Sequence, residues 1–130
     1  MRAAVVGLGK MGAALATRLL AQGAEVTVWN RTQTAAEALV AAGATAVAQL
    51  GDVWEAPVAL SFLADDDAVT QVILGPGGLL RTAPEGRLLI EMSTISPTAS
   101  AAVAQAAARR QVHYVRAPVS GNFWKKDLIG

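Results

Sequence analysis

The chain has 130 residues, 53% hydrophobic and 16% charged, enough to bury one core and too apolar for a disordered segment. A formal net charge of +1, with no Lys/Arg run longer than two residues, argues against nucleic acid as a partner, and no apolar run reaches the roughly 18 residues of a membrane span. The absence of cysteine excludes disulfides, thiol nucleophiles and cysteine–zinc sites; no metal site is expected, and a cytoplasmic location fits.

Short apolar runs alternate with longer alanine-rich amphipathic stretches. "AAVVG" (3–7) reads as a buried strand with a glycine stop, and residues 11–22 as a helix carrying Met11, Leu15 and Leu19, stopped by Gly23. "AEVTVWN" (24–30) is a second strand. "RTQTAAEALVAAG" is a second helix with Thr32 or Thr34 as N-cap and Gly43 at its end. A short third strand (44–48), a weak helical stretch to Ala56 and a fourth strand (57–64) follow; Asp65, Asp66 and Asp67 suit the start of the next helix. "GPGG" (75–78) is a turn and "RLLIEMS" (87–93) a fifth strand. The clearest helix spans 96–110, with Ser96 as N-cap and Pro97 in the first turn, and "VHYVRAP" (112–118) is a sixth strand. Strands and helices alternating at this spacing predict βαβ units, and so a doubly wound, mostly parallel α/β sheet of about six strands.

"GLGKMG", Gly7 to Gly12, follows a strand and opens a helix, the context a dinucleotide fingerprint requires. Gly7 permits the tight turn, Gly9 lets backbone approach a pyrophosphate, and Gly12 lets helix and strand pack closely. The alternative reading is a plain βα turn. After the second strand, NAD-selecting sites usually carry an acid for the ribose hydroxyls, whereas this chain has Asn30, Arg31 and Thr32. A carboxylate would repel a 2′-phosphate; Arg31 meets one with a planar fork and Thr32 adds a hydroxyl. NADP is therefore favoured over NAD, the alternative being a solvated arginine beside a helix cap. Leu63 and Ala64, Ser93 and Thr94, and Ser120 follow successive strands and are expected to converge on one crevice; Ser93, Thr94 and Ser96 read equally as caps for the helix at 97.

In order and spacing, "VVGLGKMGAALATRLL", "VTVWNRT", "ILGPGGLL", "IEMSTISP" and "APVSG" resemble the β-hydroxyacid dehydrogenases. That family includes 3-hydroxyisobutyrate dehydrogenase and the glyoxylate/succinic semialdehyde reductases, with 6-phosphogluconate dehydrogenases and imine reductases as relatives. The resemblance covers residues 1 to about 121 and implies a Rossmann sheet holding NAD(P). It implies Gly7, Leu8, Gly9, Lys10, Met11 and Gly12 under the cofactor, and Asn30, Arg31 and Thr32 on the 2′-phosphate. Leu63 and Ala64 would run along the dinucleotide, Thr94 would lie near the nicotinamide, and Ser120 and Gly121 would anchor a small hydroxy acid or aldehyde. Separately, Phe123 and Trp124, in a short tail with no core of its own, predict self-association as a homo-oligomer.

Two departures stand out: Arg116 takes the place of the family's Asp, and Asn122 that of its second glycine. The family continues into an all-helical domain bearing the catalytic lysine. Here only "FWKKDLIG" follows, and neither Lys125 nor Lys126 has that lysine's context. "KKDL" does resemble a segment whose lysine reaches the cofactor, which makes Lys126 a cofactor candidate. Expected, then, are a nucleotide-binding domain at 1–118 and a truncated start of the helical region, or a tail, at 119–130, without the family's C-terminal all-helical domain. No catalytic residue is assigned; His113 reads as a packed or surface residue. Two functions follow: the cofactor domain of a hydroxyacid dehydrogenase-like oxidoreductase, inactive alone, or a non-catalytic NADP(H)-binding module, sensor or remnant.

Overall fold

The structure, a computed structural model, describes residues 1–118. Six parallel strands form one sheet in the order β3-β2-β1-β4-β5-β6, the doubly wound Rossmann arrangement. They are β1 (Arg2–Val6), β2 (Glu25–Trp29), β3 (Thr45–Ala46), β4 (Val58–Ser61), β5 (Leu88–Glu91) and β6 (His113–Arg116). The chain winds outward from β1 through β2 to β3, then restarts on β1's other side at β4. That reversal leaves a gap above the carboxyl ends of β1 and β4, where ligands of such sheets lie.

β1 is buried on both faces, which explains its unbroken apolar run. Val5 faces one layer with Val28, Ala16 and Leu39; Ala4 and Val6 face the other with Trp54, Ile73, Leu79, Leu89 and Val103. Trp54 fixes the second layer, its indole N–H donating to the Leu79 carbonyl at 2.9 Å. Arg87 closes on the Trp54 carbonyl through Nε at 3.1 Å and Nη2 at 2.9 Å. A large side chain buried this way contributes about 1.5–3 kcal/mol.

The long helices fall where the sequence predicts them, α1 at Lys10–Ala21 and α5 at Pro97–Arg109. Ser96 caps α5, accepting from the Ala99 N–H at 3.1 Å. The shorter segments differ. The second helix is a 3₁₀ turn (Gln33–Ala36) followed by one α-turn, α2 (Glu37–Ala41); Thr32 stands at the cap position without a side-chain cap bond, and Thr34 lies inside the turn. The stretch before β4 is a 3₁₀ helix, Leu50–Glu55. After β4, Asp65 caps α3 (Asp66–Val69), which runs into a π-helical turn, Thr70–Leu74, and, past the glycine-rich turn, into α4 (Leu79–Thr82). A Cβ on Gly75 would lie 2.6 Å from the Gln71 carbonyl oxygen and one on Gly78 2.8 Å from that of Val72, so this turn closes directly onto the π-turn. β6 stops at Arg116, short of Pro118. Among the described residues no helix is long and apolar enough to cross a membrane, and no cluster of potential metal ligands occurs.

Candidate nucleotide-binding crevice

A crevice of about 550 Å³ lies across the carboxyl ends of β1, β2, β4 and β5. It gathers residues from four separate stretches of sequence. Gly7, Gly9, Lys10, Met11 and Gly12 form one wall, Asn30 and Arg31 the outer end, Leu63 and Ala64 the opposite wall, and Ser93 and Thr94 the inner end. Of the sequence-predicted cofactor residues within the described chain, two do not line it: Leu8, whose side chain packs in the core, and Thr32, exposed beyond Arg31. Ser120, Gly121 and Lys126 lie outside the described residues.

The three loop glycines differ in what surrounds them. Gly7 has φ +94° and donates its N–H to the Trp29 carbonyl at 2.9 Å; a Cβ there would collide with the Phe62 carbonyl. A Cβ on Gly12 would strike the Gly7 carbonyl, so Gly12 is set by the loop's own backbone as well as by helix–strand packing. A Cβ on Gly9 would meet nothing within 4 Å and Gly9 lines the crevice, so packing within the chain does not require glycine there. Gly9 is also the N-cap of α1. No side chain caps that helix and its first turn holds no acid, so its free N–H groups and positive dipole end remain available to an anion.

At the outer end, Asn30 braces the loop. Its Oδ1 accepts the Leu8 N–H at 2.8 Å and its Nδ2 donates to the Thr32 carbonyl at 3.0 Å, leaving one amide hydrogen for a ligand. Arg31 reaches across the mouth, donating from Nη2 to Gln71 Oε1 at 2.7 Å. The residues therefore fit a dinucleotide: a cradle without side chains at Gly9, an uncapped helix start, and a guanidinium at the far end.

Sequence reasoning missed a buried polar group beneath the inner end. Glu91, at the end of β5, is fully buried, and its Oε2 accepts from Ser61 Oγ at 2.5 Å and Ser93 Oγ at 2.8 Å. Burial pushes its carboxyl above the usual carboxylate range, against the pull of the Ser61 and Ser93 hydrogen bonds and of Arg116. Ser93 is thereby committed to Glu91 and to the Leu63 N–H (2.6 Å) and is not a cap for α5. Nearby, Ser96 holds Asp66 below its ordinary value through its hydroxyl and its N–H, the latter at 2.9 Å. Arg116, the departure from the family's acid, donates to the Ile95 carbonyl at 2.6 Å. His113 opens β6, at the end of the sheet away from the crevice, and is exposed.

The model of one protein family, the NAD binding domain of 6-phosphogluconate dehydrogenase, matches residues 2–126. The NAD-dependent L-serine dehydrogenase of Pseudomonas aeruginosa is 41% identical over 119 residues, covering 91% of this chain and 40% of that protein. Among solved structures, Psf3 in complex with NADP+ and 2-OPP superposes with a TM-score of 0.87 at 32% identity, covering 92% of this chain and 43% of its own. The 3-hydroxyisobutyrate dehydrogenase of Mycobacterium tuberculosis with L-serine gives 0.83 at 30%, covering 92% and 40%. The chain thus spans about two fifths of the length of these relatives.

Proposed function

The chain belongs to the family of the NAD-binding domain of 6-phosphogluconate dehydrogenase, and from that premise we propose that its crevice binds NADP(H) in preference to NAD(H), as the cofactor-holding part of an oxidoreductase for small hydroxy acids and their carbonyls. One observation carries the cofactor choice: the end of β2 offers a neutral Asn30 and a guanidinium on Arg31, and no carboxylate is among the described residues that line the crevice.

The N–H groups of the first turn of α1, with Gly9 as cradle, would hold the pyrophosphate, and Lys10 adds positive charge beside it. Arg31, with Thr32 and the spare amide hydrogen of Asn30, would receive the 2′-phosphate. The Leu63–Ala64 backbone would flank the dinucleotide, Thr94 would stand at its nicotinamide end, and Lys126 is a further contact. When bound, the nicotinamide supplies or accepts a hydride. The relatives' printed names, L-serine and 3-hydroxyisobutyrate dehydrogenases, support a hydroxy acid as substrate, for which Ser120 and Gly121 are the proposed anchors.

Reducing a carbonyl also needs a proton donor, worth about 10²–10⁴-fold. Among the described residues lining the crevice, Lys10 is the one amine, and it belongs to the phosphate loop. We infer that the acid comes from outside residues 1–118 and that these residues by themselves bind cofactor without turnover. The reading extends to a cytoplasmic homo-oligomer. The lack of a proton donor other than Lys10 among the described residues lining the crevice equally favours a non-catalytic NADP(H)-binding module, and an assay of NADPH oxidation with glyoxylate, succinic semialdehyde and methylmalonate semialdehyde separates the two. The cofactor reading is tested by calorimetric titration: NADPH binding at least about tenfold tighter than NADH supports it, and equal affinities overturn it.

A further inference from the structure

The glycine loop and Arg31 leave one feature of the crevice unexplained, the carboxyl group beneath its inner end. β4 ends at Ser61, and the next backbone donor, the Phe62 N–H, is taken by the Val6 carbonyl at 2.8 Å. The Leu63 N–H has left the ladder and finds its acceptor in a side chain, Ser93 Oγ, at 2.6 Å. A serine hydroxyl has one hydrogen and two lone pairs, so it accepts in a fixed direction only when its hydrogen is committed elsewhere. Glu91 Oε2 takes that hydrogen at 2.8 Å and is itself held by Ser61 Oγ at 2.5 Å. The other available acceptor, the Ser61 carbonyl, stands 3.5 Å from Ser93 Oγ, too far for a good bond.

As a device for stability alone this arrangement is poor. Glu91 is fully buried, its Oε1 has no hydrogen-bond partner, and a leucine, as at Leu88 and Leu89 earlier in the strand, would pack there at less cost. The chain of bonds ends on the crevice wall, since Leu63 and Ser93 both line it. We propose that Glu91 is a positioning residue for the crevice, acting through Ser93 to fix the Leu63 N–H and with it the Leu63–Ala64 backbone that would flank the dinucleotide. The proposal rests on the dinucleotide reading only for what that wall faces; the relay itself is a property of the ligand-free chain.

The test uses the full 130-residue chain and two independent readouts. In the absence of cofactor, amide hydrogen exchange is followed at Leu63 and, as internal controls, at Val5 and Val28. Glu91→Gln keeps an acceptor oxygen and is expected to leave Leu63 protection within about twofold of the unaltered chain. Glu91→Leu removes the acceptor and is expected to speed exchange at Leu63 about tenfold or more, with Val5 and Val28 unchanged and NADPH binding weakened about tenfold. Should Glu91→Leu fail to fold, Glu91→Met removes the carboxyl acceptor on an unbranched side chain of similar length and is expected to expose the same amide. Unchanged Leu63 exchange in the folded variant that lacks the acceptor, Glu91→Leu or Glu91→Met, or equal loss at all three amides, overturns the proposal. Failure of the unaltered chain to bind NADPH would overturn the dinucleotide reading instead, with the exchange data still deciding the role of Glu91.

Discussion

Arg31 Nη2 and Gln71 Oε1 meet at 2.7 Å across the mouth of the crevice, joining the loop after β2 to a π-helical turn 40 residues further on. Both side chains are exposed, so the bond contributes at most about 1 kcal/mol. Its effect is directional: it confines a flexible guanidinium to the rim between the crevice and a smaller hollow lined by Trp29, Gln71 and Gly77.

Arg31→Ala is therefore expected to weaken NADPH binding about ten- to a hundredfold, since a hydrogen bond to a charged group is worth about 1.5–3 kcal/mol. NADH binding should hardly change. Gln71→Leu should act in the same sense but only about two- to fivefold, through lost restraint. Calorimetric titration of both cofactors against each variant measures the selectivity; equal losses for the two would remove Arg31 from cofactor choice.

Gly9 and Gly12 should separate binding from folding. Gly9→Val places its side chain in open space on an extended backbone and is expected to leave the melting temperature nearly unchanged while abolishing binding of both cofactors. Gly12→Ala drives a methyl group into the Gly7 carbonyl and is expected to cost about 3 kcal/mol of stability. Thermal melts with and without NADPH distinguish the two effects.

Glu91 should make stability depend on pH. Its folded-state pKa is raised above the ordinary 4.5, so the folded chain holds a proton that the unfolded chain has released. Stability from this group is full below about 4.5 and falls as pH climbs toward the raised value. The groups facing it are Ser61 from β4, Ser93, and Arg116 from β6, whose charge narrows the window without reversing the sign. Denaturant unfolding across that range should show the fall for the unaltered chain, and the difference between it and Glu91→Gln should grow with pH in favour of Gln. A constant difference would place Glu91 outside the titration.

Ser96 serves two partners, capping α5 and bonding Asp66. Ser96→Ala should cost about 1 kcal/mol, as for other caps. It should also move the Asp66 carboxyl back up toward 3.8, because the serine hydroxyl is the largest cause of its lowering. An NMR titration of Asp66 reads this shift, which loss of the cap alone would not produce.

The order of strands and helices was legible because each long element carries its own local signal: the apolar run of β1, the Ser96–Pro97 start of α5, the glycine loop between β1 and α1. Leu63, Ala64, Ser93 and Thr94 could be assigned to one crevice because the end of a parallel strand predicts where its next residues go. The glycine-rich turn at 75–78 was legible from its composition, but the form of the short helical segments was not. The residues from Gln33 to Ala41 have helical composition, and only packing determines that they coil as 3₁₀ and then α. Asn30 read as a ligand residue, and its bond to the Leu8 N–H needed the fold to bring positions 22 apart together. Glu91 was hardest, because an acid closing an apolar run reads as a strand emerging into solvent. The usable signal was the pair of serines, Ser61 and Ser93, at the ends of what become neighbouring strands.

The strand order also governs how the molecule can assemble as it is synthesised. β1 leaves the ribosome ahead of the five strands it shares the sheet with, and four of its five residues are fully buried in the finished sheet. It finds β2 soon, but its other neighbour, β4, is about fifty residues further along. Until then one flank of the central strand and its apolar side chains have no mate, the kind of non-local parallel pairing that closes slowly and leaves nascent chains open to misassociation. Translation pauses, or truncation ahead of Val58, should therefore yield aggregating chains, whereas chains extending past Glu91 can close the centre of the sheet.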